Sequence, residues 1–273
     1  MPHIVVPEAE ALLDQELKVL DRGFVRLVDY LGGDARIVAA ARVSYGAGTK
    51  SVREDRGLIN YLVRHLHTSP LEQVVLTFHV KLPIFVMRQW VRHRTARLNE
   101  LSGRYSVMTD EFFVPSEADV RYQGIANRQG SSDEEVPPEL RRKVCDLLVK
   151  GQGAAYAEYE ELLRDNVARE LARVNLPLSI YTQVYWQIDL HNLFHFLRLR
   201  MEAHSQKEIR DYAHVLARCA KAVAPMATEA FEEHIYGAVT FSRSEAHALR
   251  ELLAGRPNPL EGRALEEFQQ KLK

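Results

Sequence analysis

The sequence predicts an α+β fold, with a mixed β-sheet and long helices. Strand-like stretches are scattered among helical stretches without a regular βαβ alternation, which disfavours a doubly wound parallel sheet. The chain contains no repeat of fixed period and no low-complexity tract. The motifs GxGxxG, Walker A and HExxH are absent from it. If a nucleotide binds, it is therefore bound by something other than a Rossmann or P-loop cradle.

In the first half of the chain, apolar residues recur with the period of a strand or of a helix. Residues 23–31 alternate with period two and end at Gly32-Gly33, which is typical of a strand and turn. Asp34 is placed to cap the helix that follows it. In order, the predicted segments are a strand at 23–31, helices at 34–43 and 53–67, a strand at 74–81, a helix at 84–93 after Pro83, and a polar loop at 94–107 that runs into a strand at 104–107, which 112–114 could extend.

Long amphipathic helices dominate the second half of the chain. Pro225 is expected to kink or break the helix that contains it, because proline removes a backbone donor. In order, the predicted segments are an exposed loop at 121–138, a long helix at 139–165, a short helix at 169–174, a strand at 181–188, a helix from 189 or 192 to about 202, a long helix at 206–236, and charged residues with a helical pattern at 243–273.

The composition is that of an ordinary globular protein. The 273 residues include 46% hydrophobic and 27% charged residues, which excludes disorder, collagen-like repeats and a disulfide scaffold. The formal net charge of −1 argues against a general nucleic-acid coat or a membrane-surface protein. Of the 36 basic residues, 27 are Arg and 9 are Lys. This imbalance draws attention to where the arginines lie, because Arg recognises phosphate and carboxylate groups in a bidentate manner.

The cysteines and the N-terminus indicate the compartment. Cys145 and Cys219 each fall on the apolar stripe of a predicted helix, so both are expected to be reduced and buried. The N-terminus lacks the basic region of a signal peptide, and no apolar run approaches the ~20 residues that span a bilayer. The expected location is the cytoplasm.

Five arginines cluster in a short stretch of the sequence. Arg88, Arg92, Arg94, Arg97 and Arg104 lie in a window that contains no Lys and a single acidic residue, Glu100. Guanidinium groups this close together repel one another unless anions or carboxylates compensate them. Two interpretations remain open for this window: a solvated or salt-bridged surface, or a site for a polyanionic ligand such as a nucleotide phosphate or a dinucleotide pyrophosphate.

The residues around this cluster form a recognisable signature. Arg92-His93-Arg94, seven further residues and Ser102 make the pattern RHR-x7-S within RQWVRHRTARLNELSGRYS. This stretch strongly resembles the signature of the flavin-dependent thymidylate synthases. The resemblance extends to GFVRLVDYLGGD, AARVSYG, HLHTSPLEQVVLTFHVKLPIFVMRQW and the segment from ARELARVNLPLS to KEIRDYA, and covers about 17–237. We therefore expect an N-terminal extension at 1–16, the synthase domain at 17–240 and a charged C-terminal extension at 241–273.

The resemblance implies a reaction and an assembly. Members of the family transfer a methylene carbon from methylenetetrahydrofolate to dUMP and reduce it with NADPH through bound FAD, which yields dTMP. The ligands bear phosphate, pyrophosphate or carboxylate groups, which suits an Arg-rich site. The resemblance also implies a homotetramer with active sites shared between subunits, and neither a nucleic-acid nor a membrane partner.

The resemblance assigns site residues through matching positions. Positions that contact FAD correspond to Ser69, Arg92, His93, Arg94, Glu100, Asp189, Leu190, His191 and His195, with His67 on the flavin side. Positions that contact dUMP correspond to Gln89, Trp90, Val91, Arg92, Glu100, Leu101, Ser102, Gly103, Arg104, Arg173 and Arg200. No metal ligand is implied.

Arg200 matches the family's catalytic arginine. Activation of the uracil C5 as a nucleophile builds negative charge on the N3 and carbonyl edge, and a fixed guanidinium there stabilises that charge. Arg198 lies on another face of the same helix and is expected to face solvent. Ser102 has no adjacent base in ELSGRYS, so it is interpreted as a hydrogen-bond donor to the nucleotide phosphate. Neither cysteine has the setting of an activated nucleophile.

The helix that follows residue 189 departs from the family pattern. Asn is frequent at the positions of Asp189 and His195, and His204-Ser205-Gln206 replaces a usual His-Ala-Gln. A carboxylate offers the flavin only acceptors, where an amide could also donate. Asp189 and His195 are both positions that the resemblance assigns to FAD.

Two other classes of function remain as alternatives. One is a non-enzymatic module that binds RNA or DNA through the arginine cluster, with strongly salt-dependent affinity. The other is a metal-dependent hydrolase built on His191 and His195, which share a helix face, with Glu202 or His204.

Overall fold

The computed structural model describes residues 4–43, 52–124, 130–132 and 134–273. The chain divides into two compact units, Met1–Phe231 and Glu232–Lys273. Part of the predicted loop at 121–138 and the end of the AARVSYG match, from residue 44 onwards, lie outside the described residues. Within the described residues, no helix has the length and apolar content needed to cross a membrane.

A five-stranded sheet forms the centre of the first unit. Its strands are β1 (Leu17–Val19), β2 (Gly23–Leu31), β3 (Val75–Pro83), β4 (Arg97–Glu100) and β5 (Tyr181–Asp189). They lie in the order β1-β2-β3-β5-β4, and each neighbouring pair is antiparallel. The expected α+β class is confirmed, but the expectation of a mixed sheet is wrong for these strands. The alternation of buried side chains is the same for either strand direction, so the sequence pattern could not distinguish the two.

Helices pack around this sheet and make up much of the first unit. They are α1 (Pro7–Glu10), α2 (Asp34–Arg42), α3 (Val52–Arg64), α4 (Ile84–Trp90), α5 (Pro138–Arg164), α6 (Arg169–Ala172), α7 (Leu190–Arg200), α8 (Lys207–Val223) and α9 (Pro225–Phe231). The predicted long helix at 206–236 is broken at Pro225, as its position suggested.

The strand predicted at 104–107 is wrong. The strand of this region is β4, which pairs with β5 through Arg97 opposite Gln187 and Glu100 opposite Val184. Residues 104 and 105 instead belong to a turn, in which the backbone N–H of Tyr105 donates to the Ser102 carbonyl at 3.0 Å, and 106–107 follow it without forming a strand. Downstream, Phe112 forms an isolated bridge with Ile180 rather than a further strand of the sheet.

Asp34 caps a different helix from the one predicted. The helix begins at Asp34 itself, after Gly33. The Asp34 carboxylate accepts hydrogen bonds from the backbone N–H groups of Met226 at 2.8 Å and of Ala227 at 3.0 Å. Asp34 therefore satisfies two free donors at the start of α9 and links that helix to the start of α2.

One face of the sheet supports the core. Along β3 every second residue is buried, including Leu76, Phe78 and Val80. Behind it, Trp90 at the end of α4 contacts Phe196 of α7 with ring centroids 4.8 Å apart. These fully buried rings fix the end of α4 against the middle of α7, and this contact places the site described below.

The two cysteines differ in burial. Cys219 is fully buried on α8, as expected. Cys145 on α5 is only half-buried, with its Sγ 3.5 Å from the Pro115 carbonyl oxygen, so the expectation of burial is wrong for this residue. Both thiols are free of disulfide bonds.

The second unit contains a π-helical turn (Glu232–Tyr236) and two helices, α10 (Arg243–Leu253) and α11 (Gly262–Lys271). Ser242 and Glu245 form a capping box at the start of α10. The Lys271 Nζ lies 2.7 Å from a carboxylate oxygen of Glu245, which ties α11 to α10. The segment predicted as a charged extension with a helical pattern is therefore two helices, of which α10 has a capping box, and the Lys271–Glu245 ion pair joins them.

Candidate active site

A cavity of about 270 Å³ lies where the residues after α4 meet the end of β5 and one face of α7. It is lined by Arg92, His93, Arg94, Thr95, Ile188, Asn192, His195, Leu199 and Arg200. The structure thus brings together five residues that the sequence assigned to the flavin or the nucleotide. It adds four others that the sequence did not single out: Thr95, Ile188, Asn192 and Leu199. The spacing of Asn192, His195 and Leu199 is that of one helix face, so helical periodicity from His195 could have found them.

Arg200 is held in place by two contacts to the α4 side of the cavity. Its Nε donates to the Nε2 of His93 at 2.9 Å, and an Nη2 hydrogen is donated to the carbonyl oxygen of Gln89 at 3.2 Å. Burial lowers the pKa of Arg200, but a guanidinium stays charged at neutral pH. The cavity therefore has one cationic side chain with a defined orientation.

His93 must be neutral to accept this bond. Burial, and then the nearby Arg200 and His195, lower the pKa of His93 to about 4. With Nε2 as the acceptor, the proton of the imidazole is on Nδ1. The ring also packs against Phe196 with centroids 4.6 Å apart, so the aromatic core limits its movement.

Four of the five arginines of the sequence cluster have no carboxylate partner within the described residues. Arg88, Arg92, Arg94 and Arg97 are exposed, and none of them forms a salt bridge there. Arg104 is different, because its guanidinium lies 3.0 Å from Glu170 on α6. A salt-bridged surface therefore describes one of the five, and the positive charge next to the cavity is available for an anion.

A second group of assigned residues lies in the turn after β4. Gly103 is buried, and a Cβ at this position would come within 3.0 Å of Arg173 Cδ and of Met108 Sδ. Glycine is therefore what allows Arg173 to lie across the turn. The Ser102 hydroxyl accepts the backbone N–H of Arg104 at 3.3 Å. This contact is that of a turn residue and supplies no base for a nucleophilic serine.

This turn is anchored to α5. The Tyr159 hydroxyl accepts the backbone N–H of Met108 at 3.0 Å, and the Tyr156 hydroxyl donates to the Met108 carbonyl at 2.9 Å. Met108 belongs to a small core cluster with Tyr159, Phe112 and Ile180. The turn and Arg173 are therefore positioned by the α5 side of the unit rather than by α4.

Other assigned nucleotide residues are spread around α4 and β4. Glu100 accepts a hydrogen bond from the Thr182 hydroxyl at 2.9 Å, and the Gln89 side chain donates to Gln206. Trp90 is fully buried in the core, so only its backbone could reach a ligand. Val91 is half-buried and Leu101 is exposed.

The assigned flavin residues outside the cavity are more dispersed. Asp189 is the N-cap of α7, and its carboxylate accepts from Asn192. Leu190 is buried and His191 is half-buried at the start of the same helix. His67 and Ser69 are exposed in the turn after α3, outside the residues that line the cavity, although the short helix after Ser69 packs against α7.

The alternative of a metal site receives no support from the geometry. Within the described parts of the chain, no group of three or more His, Cys, Asp and Glu side chains is placed to hold a metal ion. His204 is exposed, and its Nε2 lies 3.9 Å from the Glu202 carboxylate.

Comparison with known families gives two matches along the chain. A family described as thymidylate synthase complementing protein matches residues 26–226. A second family, described as the thymidylate synthase ThyX C-terminal domain, matches residues 239–273. The second match covers the C-terminal segment, which lies beyond the residues, about 17–237, that carry the sequence resemblance.

Individual relatives agree with these matches. The flavin-dependent thymidylate synthase of Treponema denticola is 61% identical over 261 residues, which cover 96% of this chain and 98% of the relative. The protein of the same name from Treponema pallidum is 56% identical over 271 residues, covering 99% of this chain and 89% of the relative.

Among solved structures, the chain is similar to a UMP/dUMP methylase, PolB, from Streptomyces cacaoi. The structure bound with 5-Br dUMP superposes with a TM-score of 0.71 at 33% identity and covers 79% of this chain and 97% of that one. The structure bound with 5-Br UMP gives a TM-score of 0.72 at the same identity, covering 80% and 96%.

Proposed function

The chain belongs to the family of flavin-dependent thymidylate synthases, and on that premise we propose that it methylates dUMP to dTMP. The proposed carbon donor is methylenetetrahydrofolate, the reductant is NADPH, and FAD is the bound cofactor. The observation that most supports this is Arg200, a half-buried guanidinium held by His93 and the Gln89 carbonyl at a cavity with uncompensated positive charge.

The residues around the cavity fit an anionic flavin dinucleotide. Arg92 and Arg94 are exposed cations without carboxylate partners in the described chain, which suits a pyrophosphate. His93 and His195 line the same space. By resemblance, Ser69, Glu100, Asp189, Leu190 and His191 complete the set that would hold FAD. When bound, FAD supplies the reducing equivalents for the transferred carbon.

Arg200 is proposed to act on the uracil ring. Two of its five N–H donors are engaged by the protein, which leaves three that can face a ligand. A guanidinium fixed in this way stabilises negative charge on the uracil carbonyl edge without having to reorient as that charge develops.

The nucleotide phosphate is proposed to bind at the turn after β4. Ser102, Gly103 and Arg104 form a turn against the Arg173 side chain, so the Arg173 guanidinium lies next to the turn. By resemblance, Gln89, Arg92 and Glu100 add contacts, as do Trp90 through its backbone, Val91 and Leu101.

No enzyme thiol is needed in this scheme, and the chain offers none that is suitable. Burial raises the pKa of Cys219 to about 12, so its thiol stays protonated at neutral pH. Cys145 lies on α5 against the Pro115 carbonyl rather than at the cavity.

A homotetramer with shared active sites is also proposed. The cavity in a single chain, about 270 Å³, is small for a whole dinucleotide, because ligand pockets usually enclose about 300–1000 Å³. Apolar side chains are exposed on α5 and near Arg173, among them Leu147 at 58%, Leu171 at 63% and Val174 at 75%. We propose that a second copy covers this apolar surface and that the assembly, rather than one chain, encloses the ligands. Light scattering on the purified protein measures the assembly directly.

We also propose that the chain divides into an extension at 1–16, the synthase domain at 17–240 and a C-terminal segment at 241–273. The family matches at 26–226 and 239–273 support a boundary near residue 240.

The test is a spectrum of the purified protein followed by an assay. We expect a yellow protein with flavin absorbance that changes on addition of dUMP, and dTMP formation that requires NADPH and methylenetetrahydrofolate. A colourless protein that neither takes up added FAD nor oxidises NADPH would overturn the proposal. Binding of long nucleic acid with a steep salt dependence would instead favour the non-enzymatic alternative.

A further inference from the structure

We propose that Asn192 is the side chain that the first turn of α7 presents to the flavin, and that Asp189 is a positioning residue that orients it. This inference rests on the proposed function, because it assumes that the cavity binds FAD. Asn192 lines the cavity, whereas Asp189, the residue assigned to the flavin by resemblance, does not.

The Asp189 carboxylate is already engaged. One oxygen, Oδ1, accepts the backbone N–H of Asn192 at 2.9 Å and caps α7. The other, Oδ2, accepts from the Asn192 side-chain amide, Nδ2, at 2.8 Å. Both oxygens are therefore directed at one residue, three positions along the chain and inside the helix.

This pairing fixes the orientation of the Asn192 amide. A carboxylate can only accept hydrogen bonds, so the NH₂ end of the amide must face Asp189. The Oδ1 and the second N–H of Asn192 are left for another partner. An amide with opposite orientation would bring two acceptors together, which costs a hydrogen bond and adds repulsion.

The free end of Asn192 supplies a hydrogen-bond acceptor, which the charged residues of the cavity lack. Arg92, Arg94 and Arg200 can only donate, and the acceptor nitrogen of His93 is occupied by Arg200. The isoalloxazine ring has an imide edge, with one N–H between two carbonyl groups. A primary amide that offers one acceptor and one donor is complementary to such an edge, and the arginines are not.

Two roles for Asp189 predict different couplings in a double-mutant cycle. If Asp189 acts through Asn192, its removal weakens FAD binding only while Asn192 is present. If Asp189 itself contacts the flavin, its removal costs the same affinity in either background, because independent contacts add.

The experiment measures FAD affinity by fluorescence titration of the flavin-free full-length protein. We expect Asn192→Ala to weaken FAD binding about 5- to 10-fold, the range of one hydrogen bond. Asp189→Ala should weaken it by a similar factor alone and by less than about twofold in the Asn192→Ala background. Asn258→Ala is the matched control, since it removes an Asn side chain that caps the Leu260 N–H at 2.9 Å in the second unit. This control should bind FAD as the wild type does.

Asp189→Asn separates positioning from helix stability. Asn caps helices about as well as Asp, so the thermal midpoint should stay near that of the wild type. The amide at 189 can donate, however, so Asn192 is no longer compelled to point its oxygen into the cavity. We therefore expect FAD binding to weaken without a loss of stability, a combination that a purely structural role for Asp189 would not produce.

The outcomes are distinguishable. If the wild type binds no FAD, the proposed function fails. If it binds FAD and Asn192→Ala binds equally well, this inference alone is overturned. Equal losses for Asp189→Ala in both backgrounds, or tighter FAD binding by Asp189→Asn, would assign the flavin contact to residue 189. Unchanged FAD binding by Asp189→Asn would overturn the positioning role.

Discussion

Arg200→Lys tests whether a fixed guanidinium, rather than a positive charge alone, is needed at the cavity. Arg200 donates from Nε to His93 and from Nη2 to the Gln89 carbonyl, which leaves three N–H groups for a ligand. The three donors of Lys diverge from a single nitrogen, so they cannot span the His93 and Gln89 acceptors and also present the planar set of donors that a guanidinium directs at the uracil edge. The His93 acceptor would also lose its partner.

The expected loss follows from these contacts. Removing one preorganised donor to a developing oxyanion costs about 2.7–4 kcal/mol, or about 10²–10³ in kcat. Arg200 is only half-buried, and water screens part of the interaction, so we expect about 100-fold, the lower part of that range.

The measurement is the rate of dTMP formation at saturating dUMP, with FAD affinity titrated in parallel. Arg198→Lys is the matched control, because Arg198 is exposed on the same helix and does not line the cavity. The control should keep nearly the full rate. A kcat for Arg200→Lys within about threefold of the wild type, or an equal loss in the control, would refute the need for a fixed guanidinium.

Four further predictions concern His93, Gly103, Gly151 and Asp34. His93 has a folded-state pKa of about 4 against 6.5 for the free side chain, so the unfolded chain takes up the proton first. The stability contributed by neutral His93 is present above pH 6.5 and is lost as the pH falls towards 4. In His93→Gln, which lacks this titrating group, the thermal midpoint should therefore fall less steeply over the same pH range. Gly103→Ala should weaken dUMP binding and destabilise the fold by about 1–3 kcal/mol, because the new Cβ lies 3.0 Å from Arg173. Gly151→Ala, in open space on α5, should stabilise the protein by about 0.5–1 kcal/mol in urea denaturation. Asp34→Ala should cost about 1–2 kcal/mol in the same assay, since two N–H groups of α9 lose their acceptor, and an unchanged midpoint would contradict this role.

Local periodicity was sufficient to predict most of the elements, but neither β1 nor β4 was among the predicted strands. The strands β3 and β5 alternate buried and less buried residues along most of their length, and β2 does so after its first three residues. Each of the three lies within two residues of its predicted bounds. All four residues of β4 are exposed, so no hydrophobic pattern marks the strand. Backbone pairing with β5 holds it in place, and such pairing leaves no trace in the side chains of one segment.

The candidate site was predictable where its residues are contiguous. Arg92, His93 and Arg94 form a cluster in the sequence, and they line one cavity in the structure. Asn192 gave no signal of its own, because an Asn near a helix start is common, and only its spacing from His195 pointed to the same helix face. The packing of α7 shows that this face lines the cavity and that the neighbouring Asp189 bonds Asn192.

The two halves of the site depend on different parts of the core. Arg200 and His93 are fixed by the contact of Trp90 with Phe196, between α4 and α7. The turn at Gly103 is instead fixed through Met108, which is bonded to tyrosines of α5.

Since these supports share no residue, damage to one half should leave the other half folded. Gly103→Ala should therefore raise the KM for dUMP with little change in kcat. His93→Gln should instead lower kcat, because it releases Arg200. If both substitutions changed KM and kcat by the same factors, the two halves would be one cooperative unit, and the separate anchoring seen in the packing would have no functional meaning.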